Sequence, residues 1–72
     1  MDQEMLKRHL AQAEEHIATG DQNIGRQRDV IAELERDGRD TASARTFLRE
    51  LEQLQAVLIA EREWLLSELS EL

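Results

Sequence analysis

The chain has 72 residues, carries a net charge of −7, and contains neither cysteine nor proline. That length suits one small domain, the lack of cysteine excludes disulfide bonds and thiolate metal sites, and the acidic balance argues against a general binder of nucleic acid or anionic membranes. No segment is apolar enough to span a membrane and the start MDQEM does not resemble a signal peptide, so we expect a soluble cytoplasmic protein.

A first helix is predicted over about residues 3–37, because apolar residues recur there with the period of a heptad. One row of the heptad reads Leu10, Ile17, Ile24 and Ile31, and the other reads Leu6, Ala13, Gly20, Gln27 and Leu34. Gly20 and Gly25 each weaken a helix by roughly 1 kcal/mol relative to alanine, so a break in this region is the alternative. We favour one continuous helix, since the isoleucines stay in phase across the glycines.

The segment ELERDGRDTASA, residues 33–44, carries a helix stop followed by a helix start. Gly38 suits the left-handed residue that follows a helix C-terminus. Asp40, or Thr41 if the helix starts one residue later, is suited to cap the next helix by accepting its free N–H groups. A linker of about three residues, 38–40, makes the two helices antiparallel neighbours. We interpret this loop as a hinge rather than as a binding or catalytic site.

A second helix is predicted over about residues 41–70. Its heptad row is Ala44, Leu51, Leu58, Leu65 and Leu72, with Phe47 and Leu54 assigned to the adjoining row. Beyond this, Val57 and Trp64 extend one flank of the stripe, while Ile59 and Leu66 extend the other. Apolar side chains then cover roughly 220° of the circumference, whereas one partner helix covers about 100°.

We therefore predict an all-α fold, a two-helix antiparallel hairpin that dimerises into a four-helix bundle, with a higher oligomer and a monomer as the alternatives. A turn centred on residues 38–39 pairs residues whose numbers sum to about 78. The expected pairs are Ile31 with Phe47, Ile24 with Leu54, Gly20 with Leu58, Ala13 with Leu65, and Gln27 with Leu51.

A row of small side chains on the first helix is a candidate for close helix approach. These residues recur every seven positions beside the isoleucine row, and they suit the Ile59 and Leu66 ridge of a second hairpin. Alternatively, they are surface residues that reflect only helix propensity. The candidate association interface combines this row with the flanks of the second helix: Ala11, Ala18, Gly25, Ala32, Val57, Ile59, Trp64 and Leu66.

The sequence predicts no catalytic, cofactor-binding or metal site. His9 and His16 are separated by two helical turns, about 10.5 Å, which is too far to share one metal ion. The expected pairing brings them near Glu68 and Glu61, as ion pairs at the bundle edge, as a pH-sensitive contact or as an adventitious metal site. No serine has a histidine nearby, and there is no glycine-rich phosphate loop. We expect a protein that is not an enzyme and needs no cofactor.

Arginines gather towards the turn. Residues 26–49 hold six arginines against five acids, whereas the rest of the chain holds three bases against eleven acids. The candidate contact for an anion or RNA consists of Arg36, Arg39, Arg45 and Arg49. The alternative is that these arginines pair with neighbouring carboxylates on the helix surface. No aromatic platform accompanies them, which weakens the nucleic-acid interpretation.

The segments HLAQAEEHIA, RQRDVIAELERDGRDTASAR and FLRELEQLQ resemble a family of short, uncharacterised, chiefly proteobacterial proteins with a core of the form IAELExDGxDT. The resemblance covers about residues 9–66 and implies a small helical protein, with no activity or ligand attached. The stretch TGDQN departs from the family pattern because it is more polar and less helical, which bears on the continuity of the first helix. By architecture alone, the expected bundle is also similar to the plasmid RNA-binding protein Rop, a dimer of helical hairpins.

Two functional hypotheses follow. The leading one is a non-enzymatic protein that acts through self-association and protein–protein contacts, with an unknown protein partner docking near Ile59, Trp64 and Leu66 wherever a homodimer leaves them uncovered. The alternative is a small RNA-binding regulator of Rop-like architecture that uses the arginines near the turn. A salt-sensitive gel shift that is lost on Arg39→Glu plus Arg45→Glu would favour the alternative. We expect no membrane partner.

Overall fold

The computed structural model describes residues 2–72, which form two helices joined by a short turn. Helix α1 runs Gln3–Arg36 and helix α2 runs Ala42–Ser70, and the two pack against each other along their length. The predicted all-α helical hairpin is therefore confirmed. The Cα atoms fill a rod of 55 × 14 × 13 Å. No helix within residues 2–72 has the length and apolar character needed to cross a membrane.

Helix α1 passes through Gly20 and Gly25 without a break. Its N-terminus is capped by Asp2, whose carboxylate accepts a hydrogen bond of 3.0 Å from the Met5 N–H. Such a cap satisfies one of the donors that a helix leaves free in its first turn. The isoleucines on either side of the glycines are buried against α2, so tertiary packing offsets the poor helix propensity of glycine.

The C-terminus of α1 is closed by two hydrogen bonds around Gly38. The Gly38 N–H donates to the Glu35 carbonyl over 3.1 Å, and the Arg39 N–H donates to the Leu34 carbonyl over 2.9 Å. Gly38 has a φ of 66°, in the left-handed region that this motif requires and that a side chain disfavours. The chain thus stops the helix and reverses direction within a few residues.

Helix α2 begins with a cap supplied by Asp40. Its carboxylate accepts a hydrogen bond of 2.9 Å from the Ala42 N–H. Thr41 is the residue immediately before the helix, but its hydroxyl accepts from the Arg45 guanidinium (3.0 Å) and makes no side-chain cap bond. Of the two candidates for this role, Asp40 is therefore the one whose side chain satisfies a free backbone donor.

More side chains of α1 than of α2 are fully buried at the interface between the helices. Five of its apolar residues are buried, namely Leu6, Ala13, Ile17, Ile24 and Ile31, whereas α2 buries only Leu65 and the polar Gln55. Leu6 and Leu65 are each 1% exposed and enclose Ala13 in the tightest cluster, with Leu10 and Leu69 packed against it. The open end of the hairpin therefore contains its most deeply buried side chains.

The face that α2 turns towards α1 differs from the expected one. The position opposite Gly20 is occupied by Gln55, whose carbonyl group lies against the glycine. Phe47 and Leu54, expected to face α1, are 50% and 56% exposed. The heptad row through Leu58 lies at the interface as expected, but the second interface row is the one that contains Gln55. This rotation of α2 turns an apolar flank out to solvent.

Candidate association surface

The hairpin leaves more large apolar side chains exposed than it buries. Among residues 2–72, nine are between 39% and 69% exposed: Met5, Val30, Phe47, Leu54, Val57, Ile59, Trp64, Leu66 and Leu72. In the same range six apolar residues are buried, including the small Ala13. Seven of the exposed nine belong to α2 or follow it directly, so the unburied apolar area is concentrated on that helix.

One side of the hairpin carries what we name the neutral face. A shallow groove of about 330 Å³ runs between the helices there, lined by His16, Thr19, Gly20, Asn23, Leu51, Leu54, Gln55 and Leu58. Side chains three, four or seven positions apart share a helix face, so Phe47, Val57 and Trp64 lie on the same flank of α2 as Leu54. The α1 side of this face consists of His9, Gln12, His16, Thr19 and Asn23.

The opposite side carries what we name the charged face. Its groove is lined by Asp21, Ile24, Gly25, Arg28, Glu52, Gln55, Ala56 and Ile59. The Arg28 guanidinium pairs with the Glu52 carboxylate over 3.4 Å, across the two helices. Leu66, seven residues after Ile59, lies on the same flank of α2.

The eight residues of the candidate association interface do not form one surface. Gly25 and Ile59 line the charged face, whereas Val57 and Trp64 lie on the flank of the neutral face. Ala11, Ala18 and Ala32 follow the seven-residue spacing of Gly25 and are all exposed. The row of small residues therefore accompanies the Ile59 and Leu66 ridge of its own chain, on the side that also carries the interhelical ion pair.

Gln55 is a buried polar residue whose burial the heptad pattern does not predict. It is 6% exposed, and its amide nitrogen donates to the Ile17 carbonyl and to the Asp21 carboxylate, each over 2.9 Å. Because both partners are acceptors, they fix which end of the amide carries nitrogen. The amide oxygen has no hydrogen-bond partner within residues 2–72 and lies against Gly20, where a Cβ would come within 1.9 Å of it.

This contact makes the two glycines of α1 respond oppositely to alanine. Gly25→Ala places a Cβ in open space and should stabilise the hairpin by about 1 kcal/mol through helix propensity. Gly20→Ala displaces the Gln55 amide and forfeits its hydrogen bonds, each worth about 1 kcal/mol, for a net loss of about 1 kcal/mol. Chemical denaturation monitored by circular dichroism measures both variants, and equal stabilisation by the two would contradict the contact.

The histidines meet one glutamate but form no ion pair with it. His9, Gln12, Ala13, His16 and Glu61 line a common groove. Within residues 2–72, however, the ion pairs join only arginines to glutamates. The same part of the chain contains no group of three potential metal ligands. His16 and Glu61 thus line one groove, but no ion pair joins them.

Two of the four arginines near the turn bond to side chains of their own hairpin. Arg45 pairs with the Glu35 carboxylate of α1 and donates to the Thr41 hydroxyl. Arg49 donates to the Thr46 hydroxyl over 3.2 Å. Arg36 and Arg39 have no ion-pair partner in the part of the chain that the structure describes. Half of the set is therefore engaged with side chains of its own hairpin.

Comparison of the chain with models of protein families, with curated proteins and with solved structures finds no match. The resemblance carried by IAELERDGRDT therefore stays a prediction.

Proposed function

We propose that this chain is a non-enzymatic protein that acts through self-association and protein–protein contacts, with two hairpins forming a four-helix bundle. The observation that carries the proposal is the exposed apolar flank of α2. Phe47, Leu54, Val57 and Trp64 are 50%, 56%, 63% and 51% exposed. A flank of this size is typical of an interaction surface rather than of the exterior of a stable monomer.

The energetics of a small domain support the same proposal. Each ordered residue costs about 1.5 kcal/mol of conformational entropy, and two helices share only one interface to offset it. The hairpin buries six apolar residues, and the chain has no cysteine with which to form a disulfide. Association with a second hairpin would bury the apolar flank of α2, and oligomerisation is a common source of stability for chains of this size.

Thermal unfolding at a series of protein concentrations tests the proposal. If the folded state is a dimer, its melting temperature rises with concentration, because association stabilises the folded form by mass action. A hundredfold increase in concentration should add about 2.7 kcal/mol, per mole of dimer, to the free energy of unfolding. Circular dichroism at the helix band measures the melting temperature at each concentration. A melting temperature that stays constant across the series would contradict the proposal.

A further inference from the structure

We infer that a second copy of the chain docks on the neutral face, with the two α2 helices antiparallel around a two-fold axis that passes at the level of Gly20 and Gln55. This inference rests on the proposed self-association and adds the face and the orientation. Three observations carry it, namely the distribution of charge, the spacing of the exposed apolar residues and the area of the face.

Charge distinguishes the two faces of the hairpin. The α1 side chains of the neutral face are histidine, glutamine, histidine, threonine and asparagine, none of which carries a formal charge when histidine is neutral. The charged face instead presents Asp21, Arg28 and Glu52 beside Ile59. Glu61 of α2 lines the groove beside His9 and His16, but the central groove of this face is lined by uncharged side chains from both helices. Since the centres of protein interfaces are depleted of charge, this uncharged groove favours docking at the neutral face.

The exposed apolar residues that α2 places on the flank of the neutral face have a spacing that is symmetric about its centre. Phe47, Leu54, Val57 and Trp64 are separated by seven, three and seven positions. Their order is also symmetric by type, with an aromatic residue at each end and two aliphatic residues between. A two-fold interface uses the same patch on both copies, so a patch on antiparallel helices must match its own reverse. This pattern places Phe47 opposite Trp64 of the second copy and Leu54 opposite Val57 of the second copy.

The centre of this pattern coincides with the middle of the hairpin. It falls between residues 55 and 56 of α2, beside Gln55, which lies against Gly20 of α1. Gly20 is itself at the midpoint of α1, which runs Gln3–Arg36. With a two-fold axis at this level, the two hairpins therefore overlap along their full length, and the groove beside Leu54 lies on the axis.

The area of the face is sufficient for a stable dimer. Helix α2 has 29 residues. At 1.5 Å per residue and a diameter of about 10 Å per helix, two such helices present a face of about 900 Å². Specific protein interfaces bury about 800 Å² per partner.

The inferred register also places a glutamate of one copy opposite a glutamate of the other. Glu50 and Glu61 are equidistant from the centre of the pattern, so each lies across from the other residue in the second copy. Both are exposed in the single hairpin. Like charges that face each other oppose association. Replacing these two glutamates removes the repulsion and leaves the apolar residues unchanged. These two positions are therefore suitable for a cross-linking test.

Cysteine cross-linking tests the face and the orientation together, since the natural chain has no cysteine. Chains carrying Glu50→Cys and chains carrying Glu61→Cys are unfolded together, refolded in equal amounts under reducing conditions, and then oxidised. We expect a disulfide between the two kinds of chain and none when either variant is oxidised alone. In the Glu50→Cys dimer the two thiols are about 17 Å apart along the helix axis, whereas a disulfide requires Cα atoms about 4.4–6.8 Å apart.

The alternative outcomes are distinct. A disulfide formed by Glu50→Cys alone would show that the helices are parallel and would overturn the inference. If the unoxidised mixture has the mass of two chains but forms no mixed disulfide, the hairpins meet through another face or register. The inference then fails while self-association stands. A mass of one chain, measured by light scattering on the unoxidised natural protein, would overturn both.

Discussion

Leu65→Ala is expected to cost about 2–5 kcal/mol of unfolding free energy, the range measured for truncating buried leucines. Leu65 is 1% exposed and is the only apolar residue that α2 buries fully. It closes the cluster with Leu6 and Ala13 near the open end of the hairpin. Its truncation leaves a cavity between the two helices, at the end of the hairpin that is remote from the turn.

That loss is large for a chain of this size, because small domains are stable by only about 5–15 kcal/mol. Urea denaturation monitored by circular dichroism measures it at a fixed protein concentration. Leu72→Ala is the matched control, because Leu72 is 69% exposed and its truncation should change stability by less than about 0.5 kcal/mol. Equal effects of the two truncations would show that Leu65 does not anchor α2.

Much of the hairpin follows from local sequence rules. The two heptad rows of α1 form one narrow apolar stripe, which gives this helix one way to face a partner. Gly38 and Asp40 each satisfy a specific backbone requirement, a left-handed residue and a free donor, so the turn is also predictable from single residues.

The rotation of α2 was not predictable in the same way. Its apolar residues cover so much of the circumference that several rotations satisfy the same periodicity. The interface row that the structure selects contains Leu48, Gln55, Arg62 and Leu69, whereas the rejected row contains Phe47, Leu54, Glu61 and Glu68. Each row has two apolar and two polar residues, so hydrophobicity alone does not choose between them. The hydrogen bonds of Gln55 and the space that Gly20 leaves for its amide favour the observed one, and no periodicity contains that information.

The same limit applies to the association surface. Val57, Trp64, Ile59 and Leu66 are exposed. This is expected when the apolar stripe of a helix is wider than one partner helix can cover. Assigning them to a single interface requires knowing which direction α1 occupies, because the two flanks lie on opposite sides of it. Once α1 is placed, the uncharged groove beside Leu54 and the ion pair of Arg28 with Glu52 distinguish the two faces of the hairpin.

Leu54→Lys is expected to abolish self-association, while Ile59→Lys should leave it intact. Leu54 is 56% exposed beside the groove of the neutral face, and Ile59 is 39% exposed on the charged face. Lysine is a good helix former and each site is open to solvent, so both single hairpins tolerate the change. In the inferred dimer, however, lysine at position 54 buries a charge near the two-fold axis and should weaken association at least a hundredfold.

Light scattering of the natural chain beside these two variants tests the central claim most directly. The chain has a mass of 8.3 kDa. We expect twice that mass for the natural protein and for Ile59→Lys, and the mass of one chain for Leu54→Lys at the same concentration. If Ile59→Lys is the variant that dissociates, the row of small residues on the charged face is the interface. A natural protein that is helical at the mass of one chain would contradict self-association itself.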